Sequence, residues 1–310
     1  MIVICPKCKT KTDSVAVPEF EGVCPNCGKH LAGDFTGGCI DDFQMLAEIG
    51  RGNNGVVFLA RQIGLGREVA LKIMMEESLA GPQGVPMFFK EARAVAKLNH
   101  PNIVQAIAAG RMESGNFYFA MELIDGPSVE NLIDREGALP YAEALRIAAA
   151  IAQGMAYAWN RKGLIHGDIK PANIILQHSR DPKLADLGLA QFRKVAPCEL
   201  MATPLYAPPE VIRGDFAAMG PLSDIYSFGA TLYEMFSGDP PFPGTDINLV
   251  LKMQIEQTPL PLTEKMGLFN PQVASFVDTM LAKNPDHRPE SWNVVADFFA
   301  DALEAHNNSH

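Results

Sequence analysis

Several short runs in the first half of the chain alternate apolar and polar residues. The runs FQMLAEIG, GVVFLARQI and REVALKIMM begin at Phe43, Gly55 and Arg67, and glycines separate them. Alternation with a period of two is typical of strands with one buried face. Similar runs at 103–109 and 117–123 predict two further strands. Because the connections are short, the pattern predicts an antiparallel sheet of hairpins.

The period changes from two to that of a helix within this region. The segment 87–98, MFFKEARAVAKL, places Phe88, Ala92, Val95 and Ala96 on one helical face. The first lobe is therefore predicted to be a sheet with one helix.

Helical patterns dominate after residue 125. A long helix is predicted to begin near Pro140 and to end at Gly163, since Pro favours the first turn and Gly the position after the last. The segment 223–238, SDIYSFGATLYEMFSG, is apolar nearly all round and predicts a helix buried within this lobe. The pattern as a whole predicts an α+β fold with an α-rich second lobe.

Composition limits the possible roles. The chain has 310 residues, 47% of them hydrophobic, which is enough for a sizeable core, and a formal net charge of −10. An acidic chain is a poor candidate for coating nucleic acid or a membrane surface. The sequence contains no uninterrupted apolar run of about 18 residues and no long apolar region near Met1, so we expect a cytoplasmic protein without a membrane partner.

Four of the six cysteines form two pairs with the spacing of a metal site. They are Cys5, Cys8, Cys24 and Cys27, in the sequences CPKC and CPNCG. Two thiolates two residues apart can grip one tetrahedral Zn²⁺ from a tight turn. Disulfides are the alternative, but they require an oxidising compartment that nothing in the sequence indicates.

The segment 1–32 is too short to bury a core, so a structural zinc ion would supply most of its folding free energy. We predict a zinc ribbon at 1–32 and a glycine-rich linker at 33–42. The ribbon's few lysines are offset by Glu19 and Glu21, which favours a docking module for partners over a nucleic-acid reader.

The segment 166–188, HGDIKPANIILQHSRDPKLADLG, carries the strongest chemical signal. Its acid, base and amide residues have the spacing of a phosphoryl-transfer centre. In that arrangement Asp168 would accept the proton of an attacking hydroxyl and Lys170 would neutralise the transferred phosphoryl group. Asn173 and Asp186 would hold Mg²⁺ or Mn²⁺ against the nucleotide phosphates.

Two weaker signals precede this segment. Gly50, Gly52 and Gly55 in GRGNNGVV would let backbone amides approach phosphates, although an ordinary Asn-Gly hairpin explains the same residues. Lys72 in VALK and Glu91 on the predicted helix would form an ion pair when that helix is docked, with Lys72 on the α- and β-phosphates. Solvated surface charges are the alternative for this pair.

Together these motifs resemble the eukaryotic-type, or Hanks-type, serine/threonine protein kinase family. The resemblance runs from about residue 43 to 299 and includes GRGNNGVV, VALK, HGDIKPANI, DLG, TPLYAPPE, SDIYSFG and HRP in the family's order. The sequences REVALKIM and SDIYSFGATLYEM are similar to those of bacterial members. The resemblance to the family implies the two-lobed protein-kinase fold over 43–303, followed by a tail at 304–310.

The resemblance also implies roles for residues that the hydrophobic pattern by itself would explain as core residues. Met121 would be the gatekeeper beside the adenine, with hydrogen bonds offered by the Glu122 carbonyl and the Ile124 amide. The purine would be sandwiched by Val57, Ala70 and Ile175. Catalysis would depend on Asp168, Lys170, Lys72 and Glu91. In addition, Glu210 would pair with Arg288, and Asp224 would anchor the catalytic loop.

The resemblance further implies ATP as phosphoryl donor and protein Ser/Thr hydroxyls as acceptors, because KPAN after Asp168 and Thr203 before LYAPPE are the serine/threonine forms. Two alternatives stay open. HGD with a downstream Asn is also similar to aminoglycoside and choline phosphotransferases, and a pseudokinase scaffold would share the fold.

The chain departs from the family at Gly167, where many members have an arginine that binds a phosphate on the activation segment. The segment 187–202, LGLAQFRKVAPCELMA, contains no Ser, Thr or Tyr to carry that phosphate. We therefore hypothesise a non-RD enzyme that is active without activation-loop phosphorylation. Thr203 is expected to contact Asp168.

Overall fold

A computed structural model describes residues 2–4, 11–13, 38–52, 55–76, 79, 84–178, 180–187, 204–215, 217–266 and 270–309. The described residues fall into two compact units. One is drawn from Met1–Ala96 and Gln105–Leu123, and the other from Lys97–Val104 and Ile124–His310.

The first unit begins with a short hairpin. Strand β1 (Ile2–Ile4) pairs antiparallel with β2 (Lys11–Asp13), and the last pair of the ladder is Ile4 with Lys11. The predicted zinc ligands Cys5 and Cys8 stand between these two strands in the sequence, and Cys24 and Cys27 follow β2. All four of those cysteines lie outside the described residues.

The main sheet of this unit is antiparallel, as the alternating pattern predicts. Its six strands have the order β3-β4-β5-β6-β8-β7. The bounds are β3 (Cys39–Ile40), β4 (Phe43–Gly52), β5 (Gly55–Gln62), β6 (Arg67–Met74), β7 (Ala106–Arg111) and β8 (Phe117–Glu122). One face of the sheet covers a core that includes Phe58, Val69 and Leu71, each with no exposed surface.

Strand β3 lies inside the range predicted to be a linker. Ile40 is buried in the sheet's core cluster, and the Met45 N–H donates to the Gly38 carbonyl at 2.9 Å. The Tyr118 hydroxyl donates to Asp41 Oδ2 at 2.6 Å. Residues 38–42 therefore belong to the folded sheet, and residues 33–37 of the predicted linker lie outside the described residues.

Helix α1 (Gly84–Val95) is the predicted helix of the first unit, but it begins and ends three residues earlier than the apolar pattern indicates. Pro86 fits the first turn, where a missing N–H costs nothing. The predicted contact face is partly wrong, because Ala96 is exposed in the turn that follows the helix and Glu91 is buried with Phe88. Phe88 packs edge-on against Phe117 of β8, with 5.4 Å between ring centroids.

The run 103–109 gives a strand only from Ala106. Ile103 instead forms a parallel bridge with Leu184, and the Val104 N–H donates to the Leu184 carbonyl at 3.0 Å. These bonds belong to the second unit, so tertiary pairing overrides the local strand signal at the start of the run.

The second unit is mainly helical, as predicted. Its helices are α2 (Val129–Glu136), α3 (Tyr141–Lys162), α4 (Pro209–Ile212), α5 (Pro221–Ser237), α6 (Ile247–Glu256), α7 (Leu262–Met266), α8 (Pro271–Met280) and α9 (Trp292–Asn308), and a hairpin joins β9 (Ile174–Leu176) to β10 (Pro182–Leu184). Helix α9 continues through most of the range 304–310 that was predicted to be a tail.

Two predicted features of these helices are confirmed. Helix α3 has Pro140 at its N-cap and Gly163 in the left-handed conformation at its C-cap. Helix α5 is buried on almost all sides. Within the ranges described above, none of the helices has the length and apolar character needed to cross a membrane.

Candidate active site

The catalytic-loop segment of the second unit is placed by the end of α3. The Gly163 N–H donates to the Trp159 carbonyl at 2.7 Å, which ends the helix and turns the chain. Leu164 and Ile169 then bury their side chains, with 5% and 1% exposure. These two anchors fix the segment 164–170, from which the polar side chains project.

The carboxylate of Asp224 holds this segment from the first turn of α5. Its Oδ2 accepts the His166 N–H at 2.6 Å, and its Oδ1 accepts the Gly167 N–H at 2.7 Å. Burial raises the pKa of Asp224 to about 7, although the two backbone hydrogen bonds oppose that shift. The predicted role of Asp224 as the anchor of the catalytic loop is confirmed.

The imidazole of His166 links the loop to the residue before Asp186. Nδ1 accepts the Asp168 N–H at 3.2 Å, so Nε2 carries the proton and donates to the Ala185 carbonyl at 2.8 Å. Burial lowers the pKa of His166, which keeps the ring neutral near pH 7. A neutral ring is what this arrangement requires, because one nitrogen must accept.

Gly167 has a φ of 74°, in the left-handed region. A side chain at such a position costs roughly 1–2 kcal/mol, so glycine lowers the conformational cost of the loop here. The left-handed backbone is therefore a structural cause for glycine at position 167, where the chain departs from the family pattern. It adds to the functional cause hypothesised from the sequence.

Three predicted site residues meet in this loop. Lys170 Nζ lies 3.0 Å from Asp168 Oδ2. Asn173 Nδ2 donates to the Asp168 backbone carbonyl at 2.7 Å and lies 3.4 Å from Asp168 Oδ2. The amide nitrogen of Asn173 is therefore committed to Asp168, which leaves the amide oxygen as the atom that can bind a ligand. Amide and carboxylate oxygens are the ligands that Mg²⁺ prefers.

Asp186 follows strand β10 in the left-handed conformation, with a φ of 60°. Non-glycine residues seldom adopt this conformation, and such strain clusters at functional positions. The Ala185 N–H donates to the Asn173 carbonyl at 2.8 Å, and the side chain of Leu187 is 4% exposed. The backbone on both sides of Asp186 is thus fixed, and the Leu187 side chain fills an apolar position as expected for the DLG form.

Ile175 and Ile124 also belong to the second unit. Ile175 lies in β9 and forms a bridge with Ser128, and both isoleucines are partly exposed. Their predicted roles beside the adenine stay predictions.

The predicted phosphate loop lies in the first unit, at the end of the β4–β5 hairpin. Gly50 and Gly52 end β4, and Gly52 pairs with Gly55. Gly55 has a φ of 128°, and a Cβ at this position would lie 1.9 Å from the Ile73 carbonyl oxygen. Glycine is therefore required at Gly55 by the fold, whether or not the loop binds phosphate.

The register of the sheet arranges the other predicted nucleotide contacts. Lys72 pairs with Val57 on one side and with Phe119 on the other, and Ala70 pairs with Met121. Since Ala70 and Lys72 are two residues apart, their side chains emerge on the same face of β6. Lys72 is 4% exposed, so the prediction that it is more than a solvated surface lysine agrees with its burial.

Glu122, at the end of β8, is hydrogen-bonded to Gln105. Its N–H donates to the Gln105 carbonyl at 3.0 Å, and its Oε1 accepts the Gln105 N–H at 2.8 Å. The carbonyl that the family resemblance assigns to adenine recognition is held in place by these bonds.

Glu91 is buried without its predicted partner. Among the described residues no hydrogen bond or ion pair reaches this carboxyl, and its Oε2 is fully buried and unsatisfied. Burial raises the pKa of Glu91 to about 8, against an opposing effect of the Lys90 charge. The ion pair with Lys72 is not formed in this arrangement of α1, and Glu91's role in positioning Lys72 stays a prediction.

The predicted structural pair of the second unit is confirmed. Arg288 donates from both terminal nitrogens to Glu210, at 2.7 and 2.8 Å, and its side chain has no exposed surface. Burial by itself would raise the pKa of Glu210, but the bonds and charge of Arg288 outweigh it and hold this pKa below its ordinary value. Ser223 completes the cluster by donating to Glu210 Oε1 at 2.8 Å, a contact that the sequence pattern does not indicate.

Sequence reasoning also missed a buried polar chain that joins Tyr226, Gln254 and the turn Pro204–Tyr206. The Tyr226 hydroxyl donates to Gln254 Oε1, and Gln254 Nε2 donates to the Leu205 carbonyl at 2.6 Å. The signal for it in the sequence is a glutamine, Gln254, on the apolar face of α6. Thr203 and the segment 188–203, including the predicted contact with Asp168, lie outside the described residues.

Comparison with known proteins gives a consistent result. Residues 43–300 match the protein kinase domain family. The chain is 31% identical to the serine/threonine-protein kinase PknB of Mycobacterium leprae over 277 residues, covering 86% of this chain and 43% of that protein. It is 33% identical to PknA of Mycobacterium tuberculosis, covering 81% of this chain and 59% of that protein. The chain thus spans less than half of the length of the first of these curated relatives and somewhat more than half of the second.

Solved structures show the same similarity. The crystal structure of the Mycobacterium tuberculosis PknI kinase domain aligns with a TM-score of 0.69 at 27% identity. The alignment covers 86% of this chain and 98% of that one.

Proposed function

Because the chain belongs to the protein kinase domain family, we propose that it transfers the γ-phosphoryl group of ATP to serine and threonine hydroxyls of proteins. The observation that supports this most directly is the cluster of Asp168, Lys170 and Asn173. Lys170 Nζ and Asn173 Nδ2 both lie within 3.4 Å of Asp168 Oδ2. This is the arrangement that in-line phosphoryl transfer to a hydroxyl needs from the protein.

Asp168 accepts the proton of the attacking hydroxyl in the proposed mechanism. Its position is set by the Asn173 amide, by His166 and by the Asp224 carboxylate, which accepts the N–H groups of the two residues before Asp168. Lys170 offsets the charge on the transferred group, and Lys72 binds the α- and β-phosphates. Magnesium, or manganese, would neutralise the nucleotide phosphates when bound, with Asn173 and Asp186 as its ligands.

The serine/threonine class is supported by Lys170, two residues after Asp168, and by Thr203. The relatives PknB and PknA are named serine/threonine-protein kinases. The remaining parts of the nucleotide site are proposed on the family resemblance. They are Gly50, Gly52, Gly55, Val57, Ala70, Met121, Glu122, Ile124 and Ile175.

Purified protein tests this proposal when it is offered labelled ATP with Mg²⁺ and one of three acceptors, a basic protein, the enzyme itself or an aminoglycoside. We expect label in protein, and an Asp168→Asn variant should lose at least about 10²-fold in rate, since general-base catalysis is worth about 10²–10⁴. Exposed Asp286→Asn serves as a control. Label only in the aminoglycoside would indicate a small-molecule phosphotransferase, and no transfer with intact ATP binding would indicate a scaffold.

We further propose that activity does not depend on phosphorylation of the activation segment. Gly167 offers no guanidinium for a phosphate, and the segment 187–202 has no hydroxyl to carry one. Phosphatase treatment of active enzyme, checked by mass spectrometry, should leave the rate unchanged within about twofold. A large loss after dephosphorylation at Thr203 or Tyr206 would contradict the proposal.

For residues 1–32 we propose a structural zinc ribbon that serves as a docking module for partner proteins. The cysteine spacing supports it, and so does the β1–β2 pairing, because Ile4 and Lys11 pair on either side of Cys5 and Cys8 in the sequence. Two thiolates two residues apart are half of a tetrahedral zinc site. Metal analysis of the full chain should give one zinc per chain, and Cys5→Ser should abolish it. Folded protein of these 310 residues that contains no zinc would overturn the assignment.

A further inference from the structure

A glutamine on the inner face of α6 has no exposed surface. Gln254 is completely buried, whereas glutamine side chains are mostly exposed in proteins. Its Nε2 donates to the Leu205 carbonyl at 2.6 Å and to the Pro204 carbonyl at 3.2 Å. From this geometry we propose that Gln254 is a positioning residue for the acceptor protein, because it holds the turn Pro204–Tyr206. The inference rests on the proposed kinase function.

The two backbone carbonyls of the turn fix the direction of every hydrogen bond around Gln254. A carbonyl can only accept, so the amide NH₂ of Gln254 must face Leu205 and Pro204. The amide oxygen then faces the Tyr226 hydroxyl, which donates to it. The Tyr226 oxygen accepts in turn from Lys283 Nζ at 2.8 Å. Both polar atoms of the Gln254 side chain are therefore used, and the position requires a donor and an acceptor at this reach.

The turn Pro204–Tyr206 lies beside the catalytic-loop segment, because α5 contacts both of them. Thr231 Oγ1 lies 3.5 Å from the carbonyl oxygen of Ile169, the residue that follows the proposed base. Three residues further along α5, Glu234 accepts the Tyr206 hydroxyl. Residues three apart lie on the same face of a helix, with about 5–6 Å between their Cβ atoms. A protein whose hydroxyl reaches the proposed base must therefore pass close to this turn.

The turn is held from the interior and is partly open on its other side. The side chain of Tyr206 is 6% exposed, whereas Pro204 and Leu205 are partly exposed. Gln254 thus bonds the backbone of the turn from inside and leaves apolar surface available to an acceptor. Because a misplacement of about 1 Å can cost about 10²-fold in rate, acceptor binding should depend on the bonds that orient this backbone.

Two substitutions of Gln254 remove its bonds to the turn in different ways. Gln254→Met keeps the length of the side chain but has no hydrogen to donate. Gln254→Asn keeps the amide but withdraws it from the turn by one C–C bond, or about 1.5 Å. Gln257→Met and Gln257→Asn are the matched controls, because Gln257 is exposed at the end of the same helix. Thermal unfolding shows which variants are folded, and either folded Gln254 variant is sufficient for the test.

The kinetic test uses the 310-residue protein with Mg²⁺, labelled ATP and a basic protein as acceptor, and each substrate is varied in turn. In the Gln254 variants we expect the KM for the acceptor to rise about tenfold or more, while the KM for ATP changes by less than about twofold. The Gln257 variants should resemble the wild type in both. An unchanged acceptor KM, or an equal rise of both KM values, would overturn the proposal. Wild-type protein that labels no protein acceptor would instead refute the kinase function, and this inference with it.

Hydrogen–deuterium exchange measures the order of the turn without any reaction. In the Gln254 variants, peptides covering 204–207 should exchange faster than in the wild type, because the turn loses its bonds to α6. The amides of His166 and Gly167 should stay protected, since Asp224 still accepts both. Unchanged exchange of the turn in a folded Gln254 variant would overturn the proposal. Faster exchange in both segments would also overturn it, because it would indicate a general loss of structure.

Discussion

The carboxylate of Asp224 accepts the backbone N–H of Gly167 at 2.7 Å, across 57 residues of sequence. Its second oxygen accepts the neighbouring N–H of His166. One buried side chain on α5 thus fixes the backbone immediately before Asp168, and the placement of the proposed base depends on a residue that does not touch substrate.

Asp224→Asn tests this dependence. An asparagine has only one oxygen, so one N–H of the loop would face an amide NH₂ and stay unsatisfied. We expect a loss of about 1–3 kcal/mol in the free energy of unfolding, together with reduced kinase activity. Asp246→Asn is the control, because Asp246 is an N-cap of α6 and asparagine caps equally well. Equal effects of the two substitutions in denaturant titrations would contradict the assigned role.

Gly167→Ala tests the backbone conformation of the catalytic loop. At a φ of 74° an alanine should cost about 1 kcal/mol. Gly214 is the matched control, since it has a φ of 79° with open space where a Cβ would lie. Gly214→Ala should cost a similar amount without affecting phosphotransfer. If thermal unfolding shows a loss for Gly214→Ala and none for Gly167→Ala, the left-handed conformation of Gly167 is wrong.

Glu91→Gln tests the buried carboxyl of α1, whose Oε2 has no hydrogen-bond partner among the described residues. Since burial raises the pKa of Glu91 to about 8, the folded protein holds this proton more tightly than the unfolded chain between about pH 4.5 and 8. This glutamate therefore reduces stability increasingly as the pH rises through that range. Glutamine cannot ionise, so the variant should gain on the wild type by about 1–3 kcal/mol at pH 8 and by much less at pH 5.

Thermal unfolding at the two pH values measures this difference, with exposed Glu304→Gln as the control. A stability difference that does not change with pH would show that Glu91 is not buried in this way. It would then be consistent with a formed Lys72–Glu91 pair, as predicted for a docked helix.

Arg288→Met tests the buried pair with Glu210. Removing the guanidinium leaves a carboxylate buried without a partner, which should cost about 3–5 kcal/mol. Adding Glu210→Gln should restore part of that loss, because the uncompensated charge is gone. Arg135→Met, in an exposed pair with Glu136, should cost less than about 1 kcal/mol. A small loss for Arg288→Met by itself would contradict the buried geometry.

Much of the fold follows from the chain's own patterning. Alternating runs predict the strands from Phe43 to Met74, and Pro140 and Gly163 predict the ends of α3, because these signals are local. The errors occur where distant partners compete. Ile103 leaves the sheet for Leu184, and α1 begins three residues early with Glu91 on its buried face. Local periodicity carries no information about such partners.

The candidate site divides in the same way. The sequence by itself determined the identity and spacing of Asp168, Lys170, Asn173 and Asp186, since phosphoryl transfer demands those side chains in that order. Only the tertiary structure decided how they are held. Asp224 binds the loop from α5, Ser223 joins the Glu210–Arg288 pair, and Gln254 links Tyr226 to the Leu205 carbonyl. Hydrogen bonding, burial and pKa depend on neighbours brought together through space, and a linear sequence does not specify those neighbours.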